Sequence, residues 1–380
     1  MPWRAVLAAL AANLVGIGLA RFAYTPLIPA LIEAGWFGAS DAIYLGAANL
    51  AGYLAGALSA RHAAAQAPLA AVLRLAMLLA GLSFFASAWP LSFAWYFCWR
   101  FLAGLAGGAL MALAAPAVLA WVPAIRRGLA GGVIFTGVGL GIAASGTLVP
   151  LLLRLGLVET WCGLGLLALL LTALAWNAWT GESTMPPQAP QRRSETRLRA
   201  LYVEYALNAA GLVPHMVFLV DFIARGLGRG VEAGAGFWVL FGIGAMAGPV
   251  LAGRLADRIG FRAALRLALA LQSLAVAAPA LSADSATLAL SSLLTGAFVP
   301  GVVPLVLGRV HELLPGDPAG QRAAWSLATT AFALGQALGA YGFSFAYDAG
   351  AGFPPLFAAA AGALALALLL DLAVNAGRPG

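Results

Sequence analysis

Apolar segments of about 20 residues recur along this chain from its first turns to its last, separated only by short polar breaks, and no other feature restricts its fold so tightly. A run of that length matches the thickness of a bilayer core, whereas a helix buried in a soluble domain is shorter and striped. Soluble domains carry about 25% charged residues. This chain carries 9%, with 62% hydrophobic residues, so the reading is an all-helical polytopic membrane protein.

Counting the apolar runs predicts twelve helices, over 3–33, 41–61, 67–88, 91–121, 127–154, 159–179, 199–225, 231–256, 262–282, 285–313, 319–347 and 353–376. The N-terminus, MPWRAVLAALAANLVGIGLA, has the look of a signal peptide, but its apolar run continues to Ala34, past a normal signal core. It is therefore read as a retained first helix. The longest polar break, TGESTMPPQAPQRRSETR, is rich in Pro, Ser and charge and falls at the middle of the chain. The expected layout is a six-helix bundle over 1–179, a cytoplasmic linker over 180–198, and a second six-helix bundle over 199–380.

All 21 basic residues are arginine, and their distribution predicts orientation. With the N-terminus inside, sixteen lie at the cytoplasmic side: Arg4, Arg61, Arg74, Arg126, Arg127, Arg192, Arg193, Arg197, Arg199, Arg254, Arg258, Arg262, Arg266, Arg309, Arg322 and Arg378. Arg154, Arg225 and Arg229 lie outside, and Arg21 and Arg100 fall within the membrane. Short arginine-rich loops resist translocation, so both termini are expected in the cytoplasm, in a bacterial inner membrane. The same rule explains the net charge of +7 better than nucleic-acid binding does.

The halves also repeat. NLVGI at Asn13 matches NAAGL at Asn208, an offset of 195, and AGALSAR at Ala55 matches AGRLADR at Ala252, an offset of 197. A duplicated six-helix unit is the expected construction of a transporter with its site between the halves near the midplane.

Two motifs carry further weight. In GRLADRIGFR, Gly253 and its small neighbours allow close helix approach, while Asp257 can accept hydrogen bonds from Arg258, Arg262 or a helix N-terminus as a cytoplasmic latch. In RFLAGLAGG, Gly104 and Gly108 permit tight packing four residues apart, which leaves Arg100 unexplained. These stretches resemble the loop signature and the RxxxGxxxG pattern of the major facilitator superfamily; in the latter the arginine is often tied to proton coupling. The first-half copy of the loop has Ala60 where the acidic residue belongs, so a one-sided latch is expected. RFAYTPLIPAL, AGLVPHMVFLVDFIARGLG, GRVHELLP and AWSLATTAFALGQALGAY together resemble the YbfB/YjiJ branch of that superfamily over essentially the whole chain. The resemblance implies the twelve-helix fold and a transport function, and supplies no substrate.

Charges inside hydrocarbon cost about 2.5–3.5 kcal/mol on insertion scales and usually face a bundle interior or a watery cavity. At about 100° per residue, Glu204, Asn208, Gly211 and His215 form a stripe on the seventh helix, and Asn13, Ile17 and Tyr24 align on the first, with Arg21 at the edge. Helices one and seven are repeat equivalents, which predicts that they line opposite sides of one cavity. Trp325, Thr329, Phe332 and Gln336 share a face of the eleventh helix suited to an organic ligand. Asp221 lies nearer the outside and is a candidate outer-gate partner of Arg225 or Arg229. His215 and Glu204 are candidates to carry a coupling proton.

No GxxxxGK[ST] loop is present, and a chain without lysine is a poor candidate for driving transport with ATP by itself. An enzyme would need a nucleophile and base, or a metal cluster; Cys98 and Cys162 are isolated packing residues, and only His215 of the three histidines is deep. No cofactor and no metal are expected. The partners expected are a small-molecule substrate, a coupling proton and the bilayer; the oligomeric state is not legible. Two buried arginines favour an anionic or zwitterionic substrate. Efflux of hydrophobic or cationic compounds is the alternative, and a non-transporting sensor on the same fold is the reading from another class.

Overall fold

A computed structural model describes residues 3–119, 122, 127–179, 196–315 and 317–374. Every regular element among them is helical. In chain order the long helices are α1 (Trp3–Glu33), α2 (Ala39–Gln66), α3 (Leu69–Ala86), α4 (Phe93–Leu119), α5 (Arg127–Leu153), α6 (Leu157–Ala178), α7 (Thr196–Gly226), α8 (Val231–Ile259), α9 (Phe261–Leu281), α10 (Ser285–Leu313), α11 (Pro318–Asp348) and α12 (Phe353–Val374). All but α11 are apolar enough by composition to cross a membrane. The 31 residues of α11 span about 46 Å at 1.5 Å per residue, ample for a bilayer, but the helix carries Gln321, Trp325, Thr329, Thr330 and Gln336. The linker expected over 180–198 lies mostly outside the described residues, and Thr196 already opens α7.

The helix pairs are held by glycines. In a bilayer there is no hydrophobic force between helices, so close backbone approach through small residues does much of the packing. Gly52 and Gly56 of α2 face the Phe101 and Leu105 backbone of α4, and Gly104 and Gly108 of α4 face Asn49 and Tyr53 of α2. A β-carbon at any of the four would overlap the opposing carbonyl. The packing expected of Gly104 and Gly108 is therefore what they do. In α8 and α10, Gly244 faces Leu293, Gly248 faces Ala297, and Gly296 faces Phe241.

These contacts set the register of the repeat. Gly52 and Gly244, Gly56 and Gly248, and Gly104 and Gly296 each stand 192 residues apart, as do α2 and α8 at their first residues. The short matches at offsets of 195 and 197 are thus out of step with the three-dimensional repeat by three and five residues, because single-turn similarities between small residues recur at many offsets. In the structural register the first-half counterpart of Asp257 is Ala65 rather than Ala60, and the copy still lacks its acid.

The two sets of six helices meet through α5 against α8 and α2 against α11. At the end of the bundle away from the chain termini one core runs across both sets: Phe22 meets Trp238 at 5.9 Å between ring centroids, Trp238 Nε1 donates to Ser145 Oγ at 3.1 Å, and Tyr44 meets Tyr341. At the terminal end the second set keeps a separate core, built on Leu201, Tyr205, Leu265, Val306 and Leu364. The halves are joined at one end and parted at the other.

Asp284 caps α10 by accepting from the Ala286 and Thr287 backbone N–H groups at 2.9 and 3.0 Å, and Ser282 donates its hydroxyl to the same side chain. The Ser282 hydroxyl, followed by the Thr287 contacts, holds this carboxyl below the usual carboxylate range.

Candidate functional site: two joined cavities between the halves

Helix α1 is not a plain α-helix where it matters. LVGIGL at Leu14–Leu19 forms a π-type stretch in which Ala20 N–H reaches Val15 O at 3.0 Å and Phe22 N–H reaches Ile17 O at 3.3 Å. Gly16 and Gly18 let this stretch press against Gly107 of α4 and Gly141 of α5. Pro26 then withholds the N–H that would bond residue 22, and Pro29 the one for residue 25. Arg21 stands where the ladder is irregular.

Around it lies a small cavity with about 20 Å³ of room for the centre of a water-sized sphere, lined by Arg21, Tyr24, Thr25, Asn49, Arg100 and Met216 among others. Arg100 is 3% exposed. Its Nη1 donates to Ala20 O at 2.8 Å, its guanidinium lies 4.2 Å from the Tyr24 ring centroid, and its Nε has no partner. Among the described residues Arg21 donates to the thioether of Met216 alone, at 3.3 Å, and it sits 5.0 Å from the Phe22 ring and 5.4 Å from Tyr53. Neither guanidinium meets a carboxylate among the described residues. Asn49 spends its amide N–H on Arg100 O at 3.1 Å and leaves its oxygen unpartnered.

Arg21 and Phe22 also line a larger cavity, with about 60 Å³ by the same measure, whose other walls include Tyr53, Met111, Phe135, Tyr205, Trp325, Thr329, Phe332 and Gln336, with aliphatic residues such as Ile17 and Val299. Met111, Phe135, Trp325 and Phe332 are half-buried, so this cavity reaches toward the parted, terminal end. At the far end the small cavity is bordered by Thr25, whose hydroxyl donates to Met216 O at 2.5 Å across the halves, and by Gly46 against Val217.

Of the residues singled out from the sequence, Ile17, Arg21, Tyr24, Arg100, Trp325, Thr329, Phe332 and Gln336 line these two cavities. The α7 stripe does not. Asn208 Nδ2 donates to Gln272 of α9 at 2.7 Å, and Gly211 packs on Leu364 of α12. His215 lies 2.8 Å from Ser291 Oγ of α10 and edge-on to Phe357. Ser291 gives its proton to Ala275 O at 2.6 Å, so it accepts from His215 Nε2–H, and Nδ1 is left bare. Glu204 is buried among Asp371, Arg309 and Arg266 at the terminal end of the second half. Asn13 bonds Ala9 O and Ile134 O, toward α5. The α7 stripe and Asn13 therefore face the interiors of their own bundles, and the expectation that α1 and α7 would set Tyr24 opposite His215 is corrected accordingly. Asp221 is clamped by Arg225, which also reaches Tyr347, while Arg229 bonds Ser285 and Ala283.

The face of α7 toward the other half is one residue on, with Tyr205 and Met216. These two are eleven positions apart and so nearly eclipsed on a helix. That spacing was available in the sequence, but a tyrosine and a methionine carry no charge to draw attention to it.

A family model described as an uncharacterised MFS-type transporter, YbfB, matches residues 13–372. The chain belongs to the major facilitator superfamily. Among solved structures, this superfamily member is similar to the xylose transporter XylE from E. coli in a partially occluded inward-open conformation, with a TM-score of 0.73, 14% identity, and coverage of 99% of this chain and 100% of that one. It is also similar to the human organic anion transporter MFSD10 (TETRAN), with a TM-score of 0.71, 18% identity, and coverage of 97% and 99%. A "Chloramphenicol resistance protein" of Streptomyces lividans is 30% identical over 260 residues, which span 63% of this chain and 63% of that relative's length.

Within this major facilitator chain the loop motif is more open than its resemblance implied. Gly253 has nothing near its missing β-carbon, Arg258 is exposed, and Asp257 is exposed without a hydrogen bond or ion pair among the described residues. Arg262 is engaged at the start of α9. The acid that meets the α9 N-terminus is Glu312 of α10, which accepts from Phe261 N–H at 3.1 Å and from Arg309 at 2.5 Å.

Proposed function

We propose that this chain is a secondary active transporter that moves a small organic solute with an anionic or zwitterionic group by alternating access, coupled to a proton. The observation that carries the reading is the pair of guanidiniums, Arg21 and Arg100, beside a cavity between the halves and without a carboxylate partner among the described residues. A buried cation without a counter-charge is costly, by several kcal/mol in effective terms, and an incoming anion offsets that cost. The arginine bias supports both termini facing the cytoplasm of a bacterial cell, which makes the parted end the inward one. Glu204 is the candidate proton carrier, since it is the buried carboxyl of α7 at that end and has no hydrogen-bonded partner among the described residues.

The test is counterflow in proteoliposomes with the wild type and Arg21→Ala. The variant is expected to fold and insert while losing transport; normal flux through it would remove Arg21 from the site. The aromatic walls of the larger cavity and the similarity to a chloramphenicol resistance protein favour a second reading, export of hydrophobic or cationic compounds. In that case a neutral or cationic aromatic probe moves in both proteins at equal rates. Ligand binding without any flux would place the chain among sensors.

A further inference from the structure

The two cavities differ in chemistry, and two residues, Arg21 and Phe22, belong to both. The small one has room for about one or two water-sized groups. Its lining includes Arg100, whose Nε has no hydrogen-bond partner among the described residues, and Asn49, whose amide oxygen has none, and Arg21 stands at its border with the larger cavity. The larger one is walled by the rings of Tyr53, Phe135, Tyr205, Trp325 and Phe332 together with aliphatic side chains such as Ile17, Val138 and Val299, with Tyr205 and Phe332 at 4.6 Å between centroids. Its polar lining beyond Arg21 is uncharged: the hydroxyls of Tyr53 and Tyr205, the indole N–H of Trp325, Thr329, which already bonds Trp325 O, and Gln336, whose amide oxygen is bare.

We infer that the substrate is an amphipathic aromatic monocarboxylate, with its carboxylate in the small cavity between Arg21 and Arg100 and its ring in the aromatic cavity. A carboxylate offers two acceptor oxygens to guanidinium N–H groups that now have a thioether, a single carbonyl and ring faces for partners. A flat ring fits walls that are themselves rings, through offset or edge contacts. A sugar or other polyol brings no anion to the two guanidiniums and so leaves both buried charges uncompensated. A small inorganic anion shares the carboxylate's chemistry but leaves the aromatic cavity unused. This inference rests on the transport reading for its meaning, yet binding alone tests it.

The experiment is equilibrium binding to the full chain in lipid nanodiscs, with phenylacetate, phenylacetamide, phenethylamine, acetate and chloride as separate probes. Phenylacetate is expected to bind at least about tenfold more tightly than its amide, its amine counterpart or acetate. Arg100→Gln should erase the preference for phenylacetate over the amide, and Arg100→Lys should keep part of it. Phe332→Ala should bring phenylacetate down toward acetate. Equal or tighter binding of the amide or the amine overturns the inference. So does chloride binding as tight as phenylacetate, which makes the small cavity a free-anion site, and so does a carboxylate preference that survives Arg100→Gln in a folded protein. Phenylacetate binding without counterflow upholds the inference and overturns the transport reading. Counterflow of the amide or amine alone overturns the inference, keeps transport as the function and favours the second reading, export of hydrophobic or cationic compounds.

Discussion

Arg100 and Arg21 carry the same charge in different mechanical settings. Arg100 is pinned by Ala20 O and the Tyr24 ring, while Arg21 leans on a thioether, a weak acceptor that a better one displaces. One is a fixed charge and the other can swing between the cavities it borders. Glu204 stands apart from both, on the terminal side of the second half, with Asp371 on α12, Arg266 on α9 and Arg309 on α10 as its charged neighbours. If it carries the coupling proton, Glu204→Gln leaves counterflow intact and lowers uptake driven by a pH gradient to the rate seen without one; a gradient response equal to the wild type's excludes it. The arginines were legible in the sequence because charge in an apolar run is rare. Asn208 and His215 were misjudged by the same rule, since a polar residue in a membrane helix can equally be satisfied inside its own bundle, here by Gln272 and Ser291. Met216, Thr25 and Asn49 stayed hidden: a methionine, a threonine and an asparagine reveal their place only through what stands opposite.

At the scale of elements, the glycine contacts predict a contrast. Gly104→Val in α4 or Gly248→Val in α8 forces apart backbones already in contact, and should lower thermal stability by about 1–3 kcal/mol. Gly253→Ala on α8 meets open space and should hold stability or raise it by about 0.5–1 kcal/mol, as glycine-to-alanine changes do in helix interiors. Thermal unfolding in one detergent compares the three; equal losses would mean that the close contacts carry no weight. Helix positions were readable to within a few residues because apolar length sets them, and α11 was found in spite of its polar face. The π-type stretch of α1 was not readable. LVGIGL looks like any other apolar turn, yet the wider turn shifts the phase of every later side chain, which is why a face drawn through Asn13 and Tyr24 on one regular helix does not exist in the fold.

For the whole molecule, alternating access requires the joined end to part. Gly46 and Val217 face each other there from opposite halves, with 3.4 Å between a β-carbon built on Gly46 and Val217 Cγ1. Gly46→Cys with Val217→Cys, in a chain freed of Cys98 and Cys162, should form a cross-link on oxidation that stops counterflow, and reduction should restore it. Flux through the cross-linked protein would refute rocking about this contact. The duplication itself was legible in the sequence, but its register was not, because small residues match one another at too many offsets. The glycine-backed pairs have one more consequence. At the glycine contacts backbone lies on backbone, so α2 with α4, and α8 with α10, have little there to yield, whereas α1 and α7 have interrupted ladders and wide turns. The molecule's compliance is thus concentrated in two helices, and its stiffness in the pairs beside them. A compound that stiffened α1 or α7 would act as a brake from outside the cavity, without competing for it.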